Sequence, residues 1–260
     1  MACLQYICDS NHSKYFMKLD ILAFGAHPDD VELACSGTLH SHIQAGYKVG
    51  VIDLTRGELG SRGTVDTRNE ETKHSSAIIG LHARENLDME DGFFKNDKDH
   101  QWKVITAIRK YQPEIIFMNA PYDRHPDHGK GAQLVKDACF LSGLIKIVTT
   151  DNGEMQKPWR PKRMFHYIQD TFIEPSFVVD VSNSFSVKIA AIESFKTQFY
   201  STDFDGPKTY ISTQGFLQSL EARSYTMGKR IGVKHGEGFI ITGSTLGLNN
   251  LFHQVLPELV

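Results

Sequence analysis

The chain lacks most of what marks a secreted or membrane protein. It has four cysteines (Cys3, Cys8, Cys35 and Cys139), no two of them spaced as CxxC, and two lie within the first eight positions. Such a set builds no disulfide framework and fits a reducing cytoplasm. No apolar run approaches the ~18 residues of a membrane span, and no basic start leads into an apolar stretch as in a signal peptide. Charge of one sign is also missing. The 28 Lys and Arg nearly balance 31 Asp and Glu, for a formal net charge of −3. Nothing in that balance favours a nucleic acid or an anionic membrane as partner. Internal repeats and low-complexity segments are absent.

What is abundant is histidine, 12 in 260 residues, several of them beside carboxylates. The length suits one large α/β domain with a real core rather than two. Residues 1–16 are mixed polar without periodicity and precede Met17. They read as a leader or extension, expected to be disordered, ahead of a single domain at 17–260. From position 19 a regular alternation begins. Continuous apolar runs at 19–26, 49–54 and 114–118 read as buried strands, and shorter ones at 165–167, 177–181 and 239–242 as further strands. Helical patterns cover 32–45, 66–79, 101–111, 127–141, 184–197 and 214–231, with Gly46 and Gly80 as stops. Residues 57–63 form a glycine-rich loop, and 203–207 an exposed one. This alternation predicts an α/β, Rossmann-like, mostly parallel sheet with helices on both faces.

Two tetrads carry the chemistry: His27-Pro28-Asp29-Asp30 and His125-Pro126-Asp127-His128. Each follows an apolar strand and precedes a helix, which places it at the carboxyl edge of the sheet, where α/β proteins bind ligands. Proline pushes the residue before it into an extended conformation and suits the first helical position. Residues one and four of a tetrad then share a side across one turn. Two imidazoles, a carboxylate and an open fourth position make a catalytic zinc arrangement. A further carboxylate beside the ligands suits a general base. Spacing alone does not say which of the six residues bind metal. A single His-Pro-Asp is ordinarily a helix start, with Asp at the positive helix end. Two of them at two strand ends are harder to read that way.

These motifs resemble the LmbE-like, or PIG-L, deacetylase family. Its signature is a strand running into Ala-His-Pro-Asp-Asp, here 26–30, with a later His-Pro-Asp-His, here 125–128. The resemblance extends over nearly all of 18–239. The stretches Thr-Arg-Gly-Glu-Leu-Gly at 55–60, Asp123-Arg124, and 232–239 look most like the bacillithiol-biosynthesis branch, which deacetylates N-acetylglucosaminyl malate. The resemblance implies an LmbE-like deacetylase fold with His27, Asp30 and His128 as zinc ligands and Asp29 as general base. It puts His125 near the substrate carbonyl as acid or oxyanion support, with Asp127 orienting a histidine. It also implies Zn2+, with Fe2+ as an occupant in vivo, and a cytoplasmic homo-oligomer, a hexamer if it follows the related bacterial deacetylases.

Arg56 and Arg124 flank the tetrads. Arginine forks onto carboxylates, so both are candidates for gripping an acidic aglycone such as malate, or else for structural ion pairs. The family branch often has tyrosine where this chain has His235, which touches either substrate or only a glycine-rich turn. Arg68 and Glu71 read as an i, i+3 ion pair on a helix, Cys35 as core, and His40 and His42 as surface helix residues. His74 and His82 show no partner pattern. Two other functions compete: an amidase acting on a thiol S-conjugate or another N-acyl sugar, and a non-catalytic Rossmann-like binding module. The first strand–helix turn has no G-x-G-x-x-G, and its acidic residues would repel a pyrophosphate, which weighs against the binding module.

Overall fold

The first strand, β1 (Ile21–Gly25), has no polar side chain, and all five of its residues are buried. A strand apolar on both faces belongs in the interior of a parallel sheet covered on both sides. The computed structural model describes residues 17–243 and 245–250; the extension expected at 1–16 lies outside the described residues. After β1 the chain runs through α1 (Asp30–Gln44), β2 (Val49–Thr55), α2 (Val65–Ile79), β3 (Ala83–Met89) and α3 (Lys98–Tyr111). Then come β4 (Ile115–Met118), α4 (Pro126–Leu141), β5 (Thr150–Asp151), β6 (Glu154–Met155), β7 (Arg163–Tyr167) and β8 (Phe177–Asp180). The last elements are α5 (Phe185–Glu193), α6 (Gln214–Lys229) and β9 (Gly236–Ile241). The seven-stranded sheet has the order β3-β2-β1-β4-β7-β9-β8, and β5-β6 is a separate hairpin. The first five strands in that order pair in parallel; β9 is antiparallel to both β7 and β8. The mostly parallel sheet read from the sequence is therefore what forms.

Strand alternation sends side chains to two layers. Leu22, Phe24, Ile52 and Leu54 pack with Val104, Ile108, Leu134 and Val135 of α3 and α4. Ile21, Ala23, Val49 and Val51 pack with Val31, Cys35 and Leu39 of α1 on the other face. Each such Leu, Ile or Phe contributes about 1.5–3 kcal/mol by leaving water. Local signals agree with the packing. Thr64 caps α2 in a reciprocal box with Thr67, and Gly80 ends that helix at φ 84°.

Several boundaries differ from those the sequence pattern suggests. β3 carries no strand signal, because ARENLDM is polar; as an edge strand it needs no apolar face. The hairpin strands β5 and β6 carry none either, being two residues each. β9 spans Gly236–Ile241 rather than 239–242, since Gly236 and Gly238 conceal its start. A Cβ on Gly236 would stand 2.6 Å from Val178, so crowding selects glycine there. α5 ends at Glu193, not near 197. The Thr197 N–H and hydroxyl turn instead to the Glu71 carboxylate at 2.7 and 2.9 Å.

The order of strands positions the site. The chain leaves β1 outward to β2 and β3, then returns to the other side of β1 with β4. That reversal opens a crevice at the carboxyl ends of β1 and β4. The first tetrad leaves β1 and the second follows β4.

Candidate metal centre and catalytic cavity

The two tetrads meet in space, as their positions at adjacent strand ends require. His128 Nε2 lies 3.1 Å from Asp30 Oδ1, and His27 Nδ1 lies 3.8 Å from Asp30 Oδ2. The ring centroid of His125 is 4.6 Å from that of His27 and 5.3 Å from that of His128. At the start of α1, Asp29 has φ 131° and ψ −19°. A non-glycine residue there costs roughly 1–3 kcal/mol, and such strain persists where the surroundings hold it. The two adjacent aspartates serve different partners. Asp30 packs against the histidines, whereas Asp29 Oδ2 lies 3.2 Å from Arg68 Nη1.

The donor chemistry fits a metal. Each of two histidines has one ring nitrogen backed by a carboxylate: His27 Nε2 by Asp91 at 3.0 Å, and His128 Nδ1 by Asp123 at 2.7 Å. Such backing fixes the tautomer of a metal-binding histidine and aims its other nitrogen inward. Asp127 adds a second carboxylate 3.4 Å from His27 Nε2, itself held by Lys130 at 2.6 Å and the Gly92 N–H at 2.8 Å. Asp30 is held in turn by Asn119 Nδ2 at 2.9 Å, Gln169 Nε2 at 2.8 Å and the His27 N–H at 3.0 Å.

His27, His125 and His128 also present ring nitrogens within 4.8 Å of one another. His125 differs from the other two. It caps α4, and its Nδ1 accepts the Asp127 N–H at 3.3 Å. In the neutral ring the proton then sits on Nε2, which makes that atom a donor rather than a metal ligand. Its hydrogen bonding therefore sets His125 apart from His27 and His128, whose outer nitrogens face carboxylates.

Electrostatics separate the roles further. Burial would lower His27 and His128, but the bonded carboxylates overcome it and raise them to about 10 and about 9. Burial would raise Asp30, yet His128 and His27 hold it well below the usual carboxylate range. Burial raises Asp29 to about 7, against the pull of Arg68. His125 is lowered by burial and by its imidazole neighbours.

These groups line a cavity of about 230 Å³. That is below the roughly 300–1,000 Å³ of pockets for drug-sized ligands, so it suits one small ring with the remainder of a ligand at its mouth. Arg68, Gln169, Asp170 and Arg223 contribute polar wall, and Leu33, Ile211, Phe216 and Leu220 an apolar one.

Not every residue singled out in the sequence is there. Arg124 lines the cavity and pairs with Asp170 at 3.3 Å. Arg56 does not line it; it is half exposed and pairs with Asp88 at 2.5 Å. The ion pair expected of Arg68 and Glu71 does not form. Arg68 is buried on Asp29 and the Pro28 carbonyl, and Glu71 on Thr197, because α2 packs with that face against the site. His235 is buried and stacks on Phe185 at 3.8 Å, away from the cavity. His82 has a partner after all, the Val49 N–H at 3.2 Å. His40 and His42 are half-buried, each with Nδ1 against a backbone carbonyl at 2.9 and 2.8 Å. Asp91, Asn119, Gln169 and Arg223 escape the sequence reading; isolated polar residues after strands or on a helix give no local signal.

Fold and site together describe an α/β protein with a buried His/Asp cluster and a cavity at the sheet's switch point. Residues 22–139 match the PIG-L family, described as GlcNAc-PI de-N-acetylase. The uncharacterized deacetylase YaiS of Escherichia coli (strain K12) is 33% identical over 183 residues, covering 68% of this chain and 90% of that one. The diacetylchitobiose deacetylase of Thermococcus kodakarensis is 27% identical, covering 84% of this chain and 81% of that one. The crystal structure of the conserved protein TT1542 from Thermus thermophilus superposes with a TM-score of 0.79 at 32% identity, over 89% of this chain and 98% of that one. The chain belongs to the PIG-L, LmbE-like family of metal-dependent deacetylases. A 4-oxalmesaconate hydratase of Pseudomonas putida is also similar, 24% identical over 88% of this chain and 92% of that one. The fold therefore hosts more than one reaction, and the site residues must carry the functional argument.

Proposed function

We propose that this protein hydrolyses the N-acetyl amide of an N-acetylglucosamine conjugate with an acidic aglycone. N-acetylglucosaminyl malate, the bacillithiol precursor, is the foremost candidate. The observation that carries the reading is that a strained, buried Asp29 and a His125 whose Nδ1 already accepts a hydrogen bond line one cavity with His27, Asp30 and His128. Those three residues would hold a divalent ion, Zn2+ or Fe2+, which two imidazoles and a carboxylate accommodate. When bound, the ion supplies Lewis-acid polarisation of the amide carbonyl and acidifies water.

The chain's own residues do the rest. Asp29, raised to about 7, takes the proton of the attacking water at neutral pH, while Arg68 fixes its orientation. His125 Nε2–H donates to the carbonyl oxygen as negative charge builds there. When the tetrahedral species collapses and the C–N bond breaks, the proton on Asp29 passes to the leaving nitrogen, giving acetate and a free amine. Arg124 at the cavity mouth is placed to meet an acidic aglycone. No helix among the described residues is long and apolar enough to cross a membrane. Under this reading the substrate is a small cytoplasmic metabolite and the enzyme a cytoplasmic homo-oligomer. Assaying amine release from N-acetylglucosaminyl malate, N-acetylglucosamine, diacetylchitobiose and a thiol S-conjugate tests the reading. Exclusive turnover of the S-conjugate would replace it with the amidase alternative.

A further inference from the structure

At the mouth of the cavity three segments converge on one carboxylate. Asp170, just after β7, lies 3.3 Å from Arg124 Nε and 3.5 Å from Arg223 Nη2, and accepts from the Tyr210 hydroxyl at 3.1 Å. Arg124 comes from the loop after β4, and its guanidinium lies 4.6 Å over the Tyr210 ring. Arg223 comes from α6 and donates to the Gln169 and Asp170 carbonyls. Two guanidinium groups thus share a single carboxylate, and all three residues line the cavity.

A structural brace would saturate these cations. Guanidinium and carboxylate ordinarily lock in a two-bond fork at about 2.7–2.9 Å. Here the ion pairs are single and longer, and Arg124 is 49% exposed. Asp123, the other carboxylate nearby, does not compete, since it is committed to His128 and the Thr171 N–H. Arg56, engaged by Asp88 outside the cavity, is not the second cation.

We propose that Arg124 and Arg223 form an anion subsite for a carboxylate on the leaving half of the substrate, and that Asp170 is a resident counter-ion which that carboxylate displaces. The resident group is itself a carboxylate, so the space and the donors already suit one. The subsite rests on the deacetylase reading for its place in the reaction, but not for its binding chemistry. It makes a prediction of opposite signs: removing either arginine weakens preference for an acidic substrate, and removing the Asp170 charge strengthens it.

The test compares kcat/KM on N-acetylglucosaminyl malate with kcat/KM on methyl N-acetylglucosaminide and reads the ratio. Arg124→Gln and Arg223→Gln are each expected to lower the acid-over-neutral ratio about ten- to a hundredfold, the worth of a charge-assisted hydrogen bond. Asp170→Asn is expected to raise it. Ratios within about twofold of the parent in both arginine variants, or a lower ratio in Asp170→Asn, overturn the subsite. Half-exposed Arg124 keeps the test alive if Arg223→Gln fails to fold. A parallel titration of the metal-free protein with glucosaminyl malate and methyl glucosaminide reads binding without turnover. If the parent protein releases acetate from neither glycoside, the deacetylase reading falls. Arginine-dependent preference for the malate compound in that titration then still supports the subsite, and its absence overturns it.

Discussion

Asp29 is both the proposed base and a liability to the fold, and that tension is measurable. The residue is 6% exposed, and its carboxyl rises from the ordinary 3.8 to about 7, chiefly through burial. A raised carboxyl holds its proton more tightly when folded than when unfolded. The sign follows: stability is full below pH 4 and is lost as pH climbs through about 7. A difference of about 3 pKa units is worth about 4 kcal/mol at neutral pH, an upper bound because relaxation and water entry soften burial. Asp29→Asn removes the ionisation, keeps an oxygen for Arg68, and tolerates positive φ better than most residues. In metal-free protein at pH 7 it should therefore raise the unfolding free energy by roughly 2–4 kcal/mol, or roughly 5–15 °C in Tm. The gain should shrink to about 1 kcal/mol or less at pH 4.5. With metal restored, turnover should fall by roughly 10²–10⁴ while the ion stays bound, since Asp29 is not a proposed ligand. Denaturant unfolding at the two pH values, metal analysis and steady-state kinetics check each part. A less stable variant at pH 7, or one with parental turnover, refutes the reasoning.

Replacement of His27, Asp30 or His128 by Ala should each cost most of the bound metal and activity; elemental analysis finding full occupancy in all three would discard the ligand set. Lys188 and Glu237 are a buried pair at 2.6 Å, with Glu237 also accepting the Gly37 and Thr38 N–H groups of α1. Lys188→Met should destabilise by about 3–5 kcal/mol, because it strands a buried carboxylate; a loss under about 1 kcal/mol in urea unfolding would contradict that. Arg56→Ala should not change the acid-over-neutral substrate ratio, since Arg56 pairs with Asp88 at the surface. A tenfold fall in that ratio would return Arg56 to the substrate site.

Some of the fold is written into single segments of the chain. β1 is legible because a fully buried parallel strand needs an unbroken apolar run, and Ile21–Gly25 supplies one. The site's location follows from the same logic, since each tetrad comes directly or by a short loop after such a run. β3 and the start of β9 are not legible. A charged edge strand satisfies water on one side, and a glycine strand is selected by what presses on it, here Val178 against Gly236. Both facts belong to neighbours rather than to the segment.

The same division runs through the site. Spacing names the six tetrad residues, but without the family resemblance it does not apportion the chemistry among them. Neighbours from elsewhere in the chain supply that chemistry: Asp91 and Asp123 behind His27 and His128, and Asn119 and Gln169 on Asp30. Asp29 and Asp30 are adjacent in sequence and of the same type. One turn at φ 131° sends the first toward Arg68 and leaves the second among the histidines. Arg68 itself, 39 positions after Asp29, shows in the sequence only a helical spacing to Glu71. Which way a helix turns its charged face is set by the layer it packs on, and that layer is assembled from distant parts of the chain.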